Sequence, residues 1–112
     1  MRSGQSFLTE RPIAHRGFHD IHEGRPENTL AGARSAVDAG YGIECDVRLS
    51  SDGEVMVFHD AELERLTAQT GAFAEKSAEK LQSLSILGSS ETVPTLRQLI
   101  NLVEGSVPLI IE

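Results

Sequence analysis

A second cysteine is missing, so Cys45 has no internal disulfide partner, a usage that fits a reducing compartment such as the cytoplasm. No apolar run is long enough to span a bilayer, which excludes stable membrane insertion of this segment. The opening stretch, Met1 to Glu10, lacks the continuous apolar core and small-residue cleavage pattern of a secretory signal peptide. No basic stripe offsets the formal charge of −7, so nothing is available to neutralise a nucleic acid backbone. Internal repeats and low-complexity tracts are absent as well. What remains is an acidic chain of 112 residues, enough for one domain with a modest core.

Four short apolar runs are present: Pro12 to Ala14, Ile43 to Leu49, Val55 to Phe58, and Val107 to Ile111. Between the first two, Leu30, Ala33, Ala36 and Val37 recur at helical spacing, and Gly40 stands where that helix would stop. Before the last run, Thr95 and Gln98 form a capping-box pattern ahead of Leu96, Leu99, Ile100 and Val103, with Gly105 just past the end. The order strand, helix, strand points to an α/β fold. The second and third runs are joined only by Ser50-Ser51-Asp52-Gly53-Glu54. So tight a link favours antiparallel pairing, whereas parallel neighbours need a crossover. From Asp60 to Val93 the pattern is mixed, with a short helix expected near Ser77 to Leu84 and a polar loop at Gly88 to Glu91. This stretch reads as an elaboration between core elements.

Glu44 and Asp46 lie one residue apart in a segment that alternates apolar and polar positions. On a strand their side chains share a face about 7 Å apart, where two carboxylates repel unless a proton or cation intervenes. A hard, oxygen-seeking ion such as Mg²⁺ or Ca²⁺ is one answer. An edge strand turning a polar face to water is the other, and spacing alone leaves both open. Cys45, on the opposite face, reads as a small packing residue. Further ionisable groups stand at the ends of the apolar runs: His15 and Arg16 after the first, His59 and Asp60 after the third, Glu112 after the fourth. In a parallel α/β barrel the strand ends form the active-site face. A cluster of this kind could supply metal ligands, an acid, a base and an anion clamp. Asp60 reads as a turn residue that caps the chain just after the third run, and His19 and His22 as surface residues of a polar loop.

Taken in order, His15-Arg16-Gly17, Pro26-Glu27-Asn28-Thr29, Glu44-Cys45-Asp46-Val47, Phe58-His59-Asp60, Leu63, Arg65, Thr67 and Gly71, Val93-Pro94-Thr95-Leu96 and Ile110-Ile111-Glu112 resemble the glycerophosphodiester phosphodiesterase family. The resemblance runs from Ile13 to the last residue and rests on ordered co-occurrence, each motif alone being weak. It implies a TIM-type (β/α)8 barrel. Residues 1–112 would be the N-terminal half of the domain, supplying about four strands, with Val55 to Phe58 as the third barrel strand and an insertion at about residues 60–93. It also implies Glu44, Asp46 and Glu112 as ligands of a divalent metal, Mg²⁺ or Ca²⁺. His15 and His59 would be the catalytic acid and base, and Arg16 the phosphate clamp. Glu27 and Asn28 would steady the site from behind. The implied reaction is metal-dependent hydrolysis of a small-molecule glycerophosphodiester to glycerol 3-phosphate and an alcohol. A complete barrel of this type needs roughly 250 residues. These residues alone are therefore expected to be inactive and either to pair with a second half-barrel through open strand edges or to be poorly folded, the alternative being a non-catalytic half-barrel or module that binds metal or phosphate.

Overall fold

The computed structural model describes the backbone of Ile13–His15 and residues 27–112. In chain order the elements are β1 (Ile13–His15), α1 (Leu30–Ala39), β2 (Gly42–Cys45), β3 (Val47–Leu49), β4 (Val55–Val57), α2 (Ala78–Gln82), α3 (Leu96–Val103) and β5 (Leu109–Ile111). A 3₁₀ turn covers Phe73–Glu75, between β4 and α2.

β1, β2 and β5 form a parallel sheet with β2 in the centre. Register pairs Ile13 with Gly42 and His15 with Glu44 on one side, and Ile43 with Leu109 and Cys45 with Ile111 on the other. Parallel neighbours require crossover connections, and α1 and α3 lie in them. Thr29 starts α1 by accepting the Gly32 N–H at 3.2 Å, and Gly40 ends it in the left-handed region at φ 77°. The buried Ala33 and Ala36 of this helix pack with Ile43 and Cys45 of β2 and with Leu99 and Val103 of α3. Small side chains on α1 allow helix and sheet to approach closely, so one core covers one face of the sheet.

α3 begins with the capping box legible in the sequence. The Gln98 N–H donates to Thr95 Oγ1 at 3.1 Å and the Thr95 N–H donates to Gln98 Oε1 at 2.9 Å. Replacing Thr95 with alanine should therefore cost about 1 kcal/mol, read as a lower urea midpoint with an unchanged slope. An unchanged midpoint would mean that tertiary packing alone holds this helix end.

The sheet corrects one expectation. Val55–Val57 is not a parallel barrel strand but the return arm of a hairpin, antiparallel to β3, with Val47 opposite Val57 and Leu49 opposite Val55. The physical reason is the short link: the Ser50 N–H donates to the Glu54 carbonyl at 2.9 Å, and Gly53 takes φ 85° to close the turn. Five residues cannot return a chain to a parallel start. Three parallel strands are thus present among the described residues, and β5 occupies the place beside β2 that the third run was expected to take. The stretch at about residues 60–93 then falls inside the β2 to β5 crossover.

That stretch has its own apolar centre. Phe58, Leu63, Leu66, Phe73, Leu81, Ile86 and Val93 are buried together with Met56 from the hairpin. The Phe58 and Phe73 rings stack with centroids 4.7 Å apart and planes 22° apart. Ser77 caps α2, the short helix expected there.

Candidate active site

Asp46 stands at the junction of the two sheets. β2 ends one residue before it, pairing with β5, and β3 starts one residue after it, pairing with β4. The backbone of Glu112 joins both sides of this junction: its N–H donates to the Cys45 carbonyl and its carbonyl accepts from the Val47 N–H, each at 2.9 Å. The Phe58 N–H donates to the Asp46 carbonyl at 2.9 Å, which brings the next residue, His59, to the same place. Alternation along β2 sends Ile43 and Cys45 into the helix-facing core. Glu44 and Asp46 take the other face, only 9% and 8% exposed. Burial, together with the charges of Asp46 and Glu44, pushes the Cys45 thiol up to about 12, so it stays protonated and serves as packing.

One carboxylate oxygen each from Glu44, Asp46 and Glu112 lies within 4.8 Å of the other two. Two oxygens bound to one Ca²⁺ at about 2.4 Å lie at most about 4.8 Å apart, so the three can share one ion. The donors are all anionic oxygens without nitrogen or sulfur, a set suited to hard cations. The structure therefore brings together the three acids expected as ligands, and this acidic group could hold a metal.

The expected supporting pair has distinct partners. Asn28, buried and in the left-handed region at φ 53°, donates from Nδ2 to Asp46 Oδ2 at 3.1 Å. Its Oδ1 accepts the Asp46 N–H at 3.3 Å. Both the backbone and the carboxylate of Asp46 are thus fixed by one amide, and asparagine tolerates this φ better than most residues. Glu27 pairs with Arg65, at 3.0 Å from Nη1 and 2.8 Å from Nη2. Thr29, the next motif residue, is the cap of α1. A single short motif therefore ties together a helix start, a carboxylate and a distant arginine.

His59 has a 43% exposed side chain, and its Nδ1 lies 2.8 Å from Asp60 Oδ1. The Arg48 Nε donates to the His59 carbonyl at 2.8 Å, fixing the backbone there. Hydrogen bonds from Arg65 in particular, with His59 adding to them, hold the Asp60 carboxyl well below the usual carboxylate range. Asp60 and Arg65 were not expected in the site. Asp60 looked like a turn residue because its partners are five residues later and one residue earlier; opposite charges at 60 and 65 were the available signal. His15 is aligned with Glu44 by backbone register, and its side chain lies outside the described residues, as do Arg16, His19 and His22.

Residues 15–111 match the sequence profile of the Glycerophosphoryl diester phosphodiesterase family. The chain belongs to that family. Among curated relatives, glycerophosphodiester phosphodiesterase 1 of Homo sapiens is 36% identical over 96 residues, covering 77% of this chain and 28% of that protein. Glycerophosphodiester phosphodiesterase of Caldanaerobacter subterraneus is 35% identical over 98 residues, covering 81% of this chain and 39% of that protein. The chain thus spans between about a quarter and two fifths of the length of these relatives. Among solved structures, an Oleispira antarctica phosphodiesterase in complex with the product sn-glycerol-3-phosphate superposes with a TM-score of 0.83 at 34% identity, over 96% of this chain and 45% of that one. Glycerophosphodiester phosphodiesterase from Agrobacterium tumefaciens gives 0.79 at 30%, over 90% and 46%. The three parallel strands and their helices are accordingly part of the TIM-type (β/α)8 barrel of this glycerophosphodiester phosphodiesterase family. No helix among the described residues is long and apolar enough to cross a membrane.

Proposed function

We propose that these residues supply the metal-binding and proton-transferring part of an enzyme that hydrolyses glycerophosphodiesters to glycerol 3-phosphate and an alcohol. The observation that carries this reading is the convergence of Glu44, Asp46 and Glu112, with Asp46 held on the chain segment that pairs with the one leading into His59. Membership of the family and the glycerol 3-phosphate named in the Oleispira antarctica complex support the substrate class. Glu44, Asp46 and Glu112 would hold the ion, Mg²⁺ or Ca²⁺. When bound there, such an ion offsets negative charge on phosphodiester oxygens. His59 and His15 divide the proton work: one takes the proton from the attacking oxygen, the other gives one to the leaving alcohol. Arg16 holds the phosphate, as a guanidinium matches two phosphate oxygens at once. Asn28 keeps Asp46 aimed, because a ligand fixed in advance loses little freedom on binding. A reducing, cytoplasmic setting suits the single buried cysteine.

The test is release of glycerol 3-phosphate from glycerophosphocholine by the full-length protein that carries these residues, first stripped with a chelator and then supplied with Mg²⁺ or Ca²⁺. Release should appear only with added ion, and the same ion should raise the melting temperature in a concentration-dependent way. Replacing His15 or His59 with alanine should cut turnover by about 10²–10⁴-fold. No release with either ion would refute the proposal.

A further inference from the structure

Arg65 is where two separate parts of the molecule meet. Its Nε donates to Asp60 Oδ2 at 2.7 Å and its Nη2 to Asp60 Oδ1 at 2.9 Å. The same Nη2 and Nη1 reach the two oxygens of Glu27, whose side chain is only 9% exposed. One guanidinium therefore makes two paired contacts, the geometry that fixes orientation most tightly. The arginine is itself anchored, since Leu63 and Leu66 on either side of it are buried and Thr67 closes the turn by donating from both N–H and Oγ1 to the Leu63 carbonyl.

An isolated ion pair on a surface would contribute little to stability. What this array contributes is direction. An ionised carboxylate only accepts hydrogen bonds, so the 2.8 Å contact between Asp60 Oδ1 and His59 requires the proton on Nδ1. In the neutral ring Nε2 then carries the lone pair. Glu27, at the other end, immediately precedes Asn28, which holds Asp46 by two bonds.

Resting on the proposed hydrolysis, the geometry points to Asp60 and Arg65 as positioning residues. Asp60 sets the tautomer and orientation of His59, and Arg65, by gripping Asp60 and Glu27 together, locks that ring into one frame with the carboxylate Asp46. Proton transfer and ion binding are thereby kept in register by contacts that touch neither substrate nor ion.

The experiment uses the full-length protein labelled with ¹⁵N at histidine. In the parent, the His59 resonances should report Nδ1 protonated in the neutral ring. Asp60→Ala removes the acceptor altogether, so nothing holds the proton on Nδ1, the neutral ring should become a mixture of tautomers and kcat should fall by about 10²–10⁴-fold, with KM little changed. Arg65→Lys keeps the charge but loses the fork, so kcat should fall by about 10–100-fold while the tautomer becomes mixed. A merely structural role would lower the melting temperature without moving the tautomer. Parent His59 with the proton on Nε2, or Arg65→Lys at parental kcat, would overturn the inference. Absence of hydrolysis in the parent would instead count against the function, and the ¹⁵N spectrum of the parent would still decide the tautomer.

Discussion

On the proposed function, replacing Asp46 with asparagine in the full-length protein should lower ion-dependent turnover by about 10²–10³-fold at a fixed, moderate ion concentration, with the fold intact. The substitution is nearly isosteric. Its backbone N–H can still donate to Asn28 Oδ1, and its amide oxygen can still accept from Asn28 Nδ2, so both bonds to Asn28 survive. What disappears is one of three negative charges whose oxygens lie within 4.8 Å of one another. A hard divalent ion is held mainly by that charge, so affinity should fall more than stability. Calorimetric titration with Mg²⁺ and Ca²⁺ beside a turnover assay is the measurement. Parental affinity and rate in Asp46→Asn would show that the three acids are not where the ion binds.

The second large effect is on stability. Phe73→Ala should destabilise the protein by about 3–5 kcal/mol. The ring is fully buried, and it stacks on Phe58 at 4.7 Å. Removing it leaves a cavity in the apolar centre that also holds Leu63, Leu66 and Leu81. Phe58 immediately precedes His59, so loss of the stack also loosens the residue from which the imidazole hangs. The expected outcome is a urea midpoint well below the parent's, together with reduced turnover in conditions where the variant is still folded. A shift of under about 1 kcal/mol would mean that the site collapses around the gap, or that the second apolar centre is largely independent of the rest.

The sequence was most readable where physics acts over a few residues. The cap at Thr95, the stop at Gly40 and the short helix after Ser77 all rest on contacts three or four positions apart, and each stands as expected. Alternation placed Glu44 and Asp46 on one face and Cys45 on the other for the same reason. The hairpin was also legible: the five-residue link spoke for antiparallel pairing, and reading Val55 to Phe58 as a parallel barrel strand set that local constraint aside. Partners far apart in sequence were less accessible. Glu27 and Arg65 are separated by 38 positions, and nothing in the periodicity around either one announces the other. Asp60 was passed over because an acid after a strand commonly caps a turn, whereas here it is the middle member of a chain of charge-assisted contacts.

The route by which Glu112 reaches Glu44 and Asp46 has a consequence for synthesis. The hairpin and the Asn28 to Asp46 clasp join residues close along the chain, so they can form early, while translation is still under way. The β2 to β5 pairing must wait until the whole intervening crossover has left the ribosome, because its last participant is Glu112. Glu44 and Asp46 are neighbours through the local geometry of one segment, whereas Glu112 joins them only across that long connection. Docking of β5 is at once the event that completes the parallel trio and the event that brings the third acid to the other two.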